Sequence, residues 1–232
     1  MKTTVRFTSY SVLFIFFLGF SACRHKYYVS SYFEQQTAGH KIIAILPAEM
    51  IFTGKQPKDL TPEEIAAIEE RESRAFQESL VNGIFKYANS RREYMSINVQ
   101  DVNTTNNLLQ EHNISIRDSW TANDKELAEI LKVDAVVRMR IQKKRYMSEL
   151  ASYGIGMGRK IIGMIGKNNK FPTPFVPNKT NDIYAACNIV SDNKTLWNNH
   201  YQGSADWNNP SDVVINNITD SFGKNFPYKK RR

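Results

Sequence analysis

Side chains able to do chemistry are few and scattered in this 232-residue chain. A metal centre needs His, Cys, Asp or Glu converging at short spacings, and His25, His40, His112 and His200 form no paired motif. The sequence holds no Gly-x-Ser-x-Gly elbow, and neither Cys23 nor Cys187 suggests a couple with a histidine base. The glutamates at 63, 64, 69, 70, 72 and 78 stand at helical spacings and read as a solvated acidic face, not as paired catalytic carboxylates. Gly154, Gly156, Gly158, Gly163 and Gly166 are interleaved with Ile and Met, but Gly163-Met164-Ile165-Gly166-Lys167 lacks the spacing and the hydroxyl residue of a phosphate-binding loop. Three readings stay open for Leu150 to Gly166: a packed or flexible loop, an oligomer contact, or a membrane-associated segment, since small residues let backbones approach closely in lipid. Arg159 and Lys160 at its middle argue against a complete crossing. Trp120, Trp197 and Trp207 are expected in the core or at its edge, because their spacing does not put them on one face as a sugar-stacking platform would require. No catalytic residue, no metal ligand and no cofactor is expected.

Cys23 is the exception, and its chemistry is modification. Lys2 and Arg6 precede an apolar run from Val12 to Phe20 that only Gly19 interrupts. A membrane-crossing helix needs about 20 apolar residues, so this shorter run reads as an export signal over residues 1–22. The ending Phe20-Ser21-Ala22-Cys23 resembles a bacterial lipobox, with Phe where Leu is usual. In such a sequence the Cys is acylated and becomes the first residue of the mature chain. Cysteine counting agrees: a lipidated Cys23 leaves Cys187 unpaired, and its apolar surroundings suit a buried, inert thiol. Without a disulfide the fold depends on a core. The formal charge is +8 and falls to +6 when Lys2 and Arg6 leave with the signal. For an exported chain this balance points to anionic head groups or acidic glycans, with no nucleic acid partner expected. The segment after Cys23 is Arg24-His25-Lys26, with no acidic cluster of the kind seen in surface-export signals, so the periplasmic face of the outer membrane is the expected address.

The elements must then position whatever the surface recognises. Residues 23–40 read as a lipidated tether, 41–228 as one α/β domain and 229–232 as a basic tail. Such a length buries a core unaided. Ile42 to Leu46, ended by Pro47, suits a strand buried on both faces. A loop is expected from Ala48 to Leu60. Thr61-Pro62-Glu63-Glu64 then has the cap, proline and glutamate of a helix start. Phe76, Leu80, Ile84 and Tyr87 give that long helix one apolar stripe, while its acidic first half is expected to project into water. Met95 to Val102 reads as a strand, Thr104 to Glu111 as a short helix, and Thr121 with Asp124 as the opening of another helix. From Val137 to Gln142 the alternation predicts a strand with one wet face, Arg138, Arg140 and Gln142. Ile183 to Val190 and Thr195 to Tyr201 form a hairpin through Ser191-Asp192-Asn193-Lys194, and a last helix carries Val214, Ile218 and Phe222. Together these predict a mixed sheet of about five strands with helices packed on it.

Three stretches resemble the periplasmic lipoproteins that share the fold of the curli secretion protein CsgG and the TolB amino-terminal domain. They are Ile42 to Pro47, the helix-into-strand run Glu126 to Val137, and Asp192 to Trp197. The resemblance implies a non-enzymatic part of an envelope assembly or transport complex. Its partners would be the membrane, through lipid on Cys23, and other envelope proteins, with a homo-oligomer as an open alternative. An oligomeric curli-type secretion pore subunit and an envelope enzyme are the competing expectations.

Overall fold

Alternation along one long strand organises the molecule, and the remaining elements follow from which of its faces must be dried. The computed structural model describes residues 27–54, 61–88, 93–145, 180–205 and 211–231. In chain order these form β1 (Tyr27–Val29), α1 (Phe33–Thr37), β2 (Ile42–Ile45), β3 (Glu49–Gly54), α2 (Pro62–Ala88), β4 (Glu93–Met95), β5 (Asn98–Val99), α3 (Val102–Glu111), α4 (Ile116–Thr121), α5 (Asp124–Leu131), β6 (Ala135–Arg145), β7 (Asn181–Ser191), β8 (Lys194–Ala205), α6 (Ser211–Lys224) and β9 (Lys229–Arg231). The protein is an α/β fold built on a mixed sheet of seven strands, ordered β1-β8-β7-β6-β2-β5 with β3 also paired to β6. β2 and β3 run parallel to β6, while β7 and β8 are antiparallel to their neighbours.

Val137, Met139 and Ile141 of β6 point to one face, where Phe76, Leu80 and Ile84 of α2 and Ile215, Ile218 and Phe222 of α6 meet them in the main core. On the other face Val136, Ala44, Leu46 and Val190 pack under Leu109 of α3 and Leu127 and Leu131 of α5. The predicted helix start is a true capping box: Glu64 N–H donates to Thr61 Oγ1 at 3.2 Å and Thr61 N–H to Glu64 Oε2 at 2.8 Å. The hairpin turns at Asp192 and Asn193, both with positive φ, as a two-residue turn between right-twisted strands requires.

Several expectations are corrected. The stretch read as a tether is folded from Tyr27 onward: β1 pairs with Trp197 to Asn199 of β8, and Phe33 is buried against Tyr228 with ring centroids 5.3 Å apart. The expected basic tail is strand β9, which pairs with β4 and lets Lys229 Nζ reach Glu93 at 3.5 Å and donate to the Lys224 carbonyl at 2.6 Å. The expected loop after Ala48 holds β3, because Pro47 interrupts the ladder without turning the chain, which resumes along the far half of β6. Met95 to Val102 is not one strand; β4 and β5 belong to different sheets, and α3 already begins at Val102 with Asp101 as its cap. The helix expected to open at Thr121 and Asp124 is capped instead by Asn123, and α4 precedes it. The acidic half of α2 is not free in water: Glu69 pairs with Arg117, and Glu72 with Lys143.

α2 and α6 approach most closely at two glycines. A Cβ on Gly223 would stand 2.5 Å from the Gly83 backbone, and one on Gly83 would stand 3.0 Å from the Thr219 carbonyl. Neither neighbour is a flexible side-chain end, so the helices would have to separate. Gly223→Ala is therefore expected to destabilise by about 1–3 kcal/mol through overpacking, despite the better helix propensity of Ala. Gly39→Ala, with no atom within 4 Å of the added Cβ, serves as control. Urea unfolding monitored by circular dichroism checks this; equal midpoints for Gly223→Ala and the parent would refute the close-approach argument.

Candidate functional site

β6 is dry on both faces over Ala135 to Val137, but α3 and α5 stop there, and beyond Arg138 one face of the sheet is open. Strand register lays out that face in rows: Arg140 beside Ala186 and His200, Gln142 beside Tyr184 and Gln202, Lys144 beside Asp182 and Ser204. All of these but Lys144 line a shallow trough of about 890 Å³. Arg140 lies 3.4 Å from Glu49 across the β3 ladder, and Lys144 stands opposite Asp182, so charge on the face is largely balanced within it. What remains is amide, hydroxyl, imidazole and one exposed aromatic, Tyr184. The wet face read from the sequence is thus real and continues onto β7 and β8.

Arg138 belongs to that row of the strand but serves the fold. Its guanidinium pairs with Asp124, and its Nη1 donates to the carbonyls of Ser119 at 2.8 Å and Trp120 at 3.0 Å. Its Nη2 donates to the Ala122 carbonyl. One planar fork so satisfies the backbone between α4 and α5 and fixes it over the sheet, a geometry a lysine could not copy.

A second polar cluster joins the start of β2 to the chain's end. His40 Nδ1 and the Tyr228 hydroxyl share a 2.7 Å hydrogen bond. Asp134 Oδ2 accepts from the amides of Lys41 at 2.6 Å and Ile42 at 2.9 Å. Burial lowers the His40 pKa below its ordinary 6.5, against the opposing charges of Asp134 and Asp192. Burial alone would raise the Asp134 pKa, yet the two amides and the charges of His40 and Lys41 bring it below 3.8. Burial, then Asp134, push the Tyr228 phenol up, which leaves it neutral. Nothing in the cluster is an exposed nucleophile. Cys187 is fully buried in the main core, and burial pushes its thiol up, so the inert reading of this residue holds.

The third feature is an edge. β1 is the outermost strand beyond β8, and with Tyr32 it exposes Tyr27, Tyr28 and Val29. β1 is antiparallel to β8, so its start points toward the end of the sheet where β6 finishes at Arg145 and β7 begins at Asn181. Cys23 and Gly154, Gly156, Gly158, Gly163 and Gly166 lie outside the described residues, as do His25 and Trp207. Trp197 is fully buried and Trp120 half-buried beneath the Arg117 guanidinium. His112 bonds the Leu108 carbonyl at 2.9 Å and His200 stands on the open sheet face, so the structure does not bring the histidines together. Among the described residues no three His, Cys, Asp or Glu side chains converge, and no helix is long and apolar enough to cross a membrane. Sequence reasoning missed the exposed tyrosines because the segment has no period; the density of aromatics beside Cys23 was the available signal.

No protein-family model matches the chain, and no curated protein matches it. The chain is weakly similar to several solved structures. A PelC dodecamer from Paraburkholderia phytofirmans is 6% identical, covers 80% of this chain and 86% of its own, and gives a TM-score of 0.37. The lipoprotein GNA1162 from Neisseria meningitidis is 10% identical over 75% of this chain and 90% of its own, with a TM-score of 0.39. The LpoB C-terminal domain from Salmonella enterica is 9% identical over 72% and 83%, with a TM-score of 0.31. Likeness at this level carries no residue role across.

The His40 cluster generates a pH dependence with a definite sign. Because the folded chain holds His40 below 6.5, the unfolded chain binds its proton first, and stability falls as pH drops from 6.5 toward the folded value. Asp134 acts lower: its contribution is complete above 3.8 and is lost as pH falls through its folded value. His40→Gln keeps a partner for Tyr228 and removes the titration. Calorimetric melting between neutral pH and about pH 5 should show Tm declining in the parent and a flatter profile in the variant; parallel profiles would show that His40 is not the linked group.

Proposed function

We propose that the chain is a lipid-anchored, non-enzymatic component of an envelope assembly or transport complex, held at the periplasmic face of the outer membrane. The observation that carries this reading is Cys23 at the end of a lipobox-like Ser-Ala-Cys, separated from the first strand by only Arg24, His25 and Lys26. A folded body that begins so near the acylated residue is held against the bilayer, not displayed on a long stalk. The likeness to CsgG and TolB amino-terminal-like lipoproteins is part of this proposal and rests on the sequence stretches quoted above. The open face carrying Gln142, Tyr184, His200 and Gln202 is the surface proposed to meet an envelope partner, since it is polar, neutralised within itself and free of a covering helix among the described residues.

A curli-type pore subunit is the second reading. One observation favours it: the connection that contains Gly154 to Gly166 leaves the sheet at Arg145 and returns at Asn181, at the end toward which the start of β1 points. A pore would need that connection to supply membrane strands of about 10 residues. Light scattering on detergent-extracted protein decides it, since a monomer removes the pore.

Two measurements test the leading proposal. Mass spectrometry of the mature protein should find an acylated N-terminal Cys23, and Cys23→Ala should leave the chain in the soluble envelope fraction. A photo-crosslinker at Tyr184 or Gln202 should capture a reproducible envelope partner only in the lipidated form. An unacylated N-terminus would refute the anchor, and capture only of the chain itself would replace the accessory role with self-assembly.

A further inference from the structure

We infer that the β1 edge is a bilayer-docking surface, in which Tyr27, Tyr28, Val29 and Tyr32 seat at headgroup level and the main sheet lies edge-on to the membrane. The inference rests on the lipid anchor proposed above and adds a second, protein-borne contact.

The first argument is concentration of exposed apolar area. Tyr28 is 55% and Tyr32 64% exposed, with Tyr27 at 37% and Val29 at 40%, whereas the remaining large exposed apolar side chains among the described residues, Phe85, Tyr94, Tyr184 and Val213, sit on four different elements. Scattered exposure of this kind is ordinary on any protein; four such residues within six positions at one edge are not.

The second argument is the strand itself. Among the described residues β1 pairs only with β8, so its outer side is an edge. Water-facing edges are usually blunted by lysine, proline or a bulge, and Tyr27-Tyr28-Val29 has none of these. Register puts Tyr27 and Val29 on the face of Asn199 and Trp197, and Tyr28 on the face of Asn198. The edge therefore presents rings on both of its sides, and each ring combines an apolar body with a hydroxyl. That combination suits the membrane–water boundary, where tyrosine collects.

The third argument is reach. Four Cα steps from Cys23 to Tyr27 span at most about 14 Å, so an acyl chain on Cys23 confines the tyrosines to the neighbourhood of the headgroups. Arg24 and Lys26 in the intervening stretch are complementary to anionic lipid.

Full-length mature protein reconstituted in vesicles of phosphatidylethanolamine and phosphatidylglycerol tests the inference. Nitroxide labels are placed by Tyr28→Cys or Tyr32→Cys, one at a time so that the other edge residues remain, and by Tyr94→Cys and Tyr184→Cys as controls. Cys187 is fully buried and does not compete for label. Paramagnetic collision measurements should show labels at 28 and 32 shielded several-fold from an aqueous nickel complex and open to oxygen, with 94 and 184 remaining water-exposed. Acylation of Cys23 is read separately by mass spectrometry. Acylated protein with fully aqueous labels at 28 and 32 overturns the docking and leaves the anchor standing. Unacylated protein overturns the anchor; the docking then stands if adding vesicles shields 28 and 32, and falls if it does not.

Discussion

Strand β6 must be dry from Ala135 to Ile141 on one face but on the other only over its first three residues, and this asymmetry sets the rest of the structure. Val137, Met139 and Ile141 need cover along most of the strand, which a pair of long elements gives, so α2 and α6 lie side by side beneath it. Their joint width is limited by the glycine contact between Gly83 and Gly223, which brings two backbones together without side chains between them. On the second face the apolar demand ends at Val136, and the short helices α3 and α5 suffice. Arg138 marks the border, since it directs four of its five donors to the α4–α5 backbone and Asp124. From there on the sheet has no apolar reason to be covered, and the polar trough results.

The same physics explains what the sequence disclosed. β6, the β7–β8 hairpin, α2 and α6 were legible because their signals are local: alternation, a turn with two residues that accept positive φ, a capping box, and a stripe at helical spacing. β1, β3 and β9 were not, because each short strand is held by backbone pairing to residues far away in the chain and carries little periodicity of its own. Tyr27 to Val29 looks like any aromatic tether until Trp197 to Asn199 is seen to lie beside it. The basic tail misled for a related reason. Lys229 appears in the sequence as free positive charge, while the fold sets Glu93 against it. Of the candidate site, the wet face of β6 could be read, and its extension across Tyr184, His200 and Gln202 could not, because register is a property of the assembled sheet.

The distribution of charge bears on the proposed anchor and the edge. The chain as a whole carries +8, yet the described residues hold slightly more Asp and Glu than Lys and Arg. The basic excess therefore belongs to the remaining segments, chiefly residues 1–26 and 146–179. Arg24 and Lys26 precede β1 in the sequence, and residues 146–179 lie between β6 and β7, whose ends at Arg145 and Asn181 are those toward which the start of β1 points. An anionic membrane would attract these segments and mildly repel the acidic body, and its influence fades within about 8–10 Å at physiological ionic strength. Under the anchoring and docking proposed above, the lipid would fix position, the basic segments would bias approach, and the tyrosines of β1 would give the edge a short-range reason to stay, which would leave the trough on the open sheet face clear of the membrane.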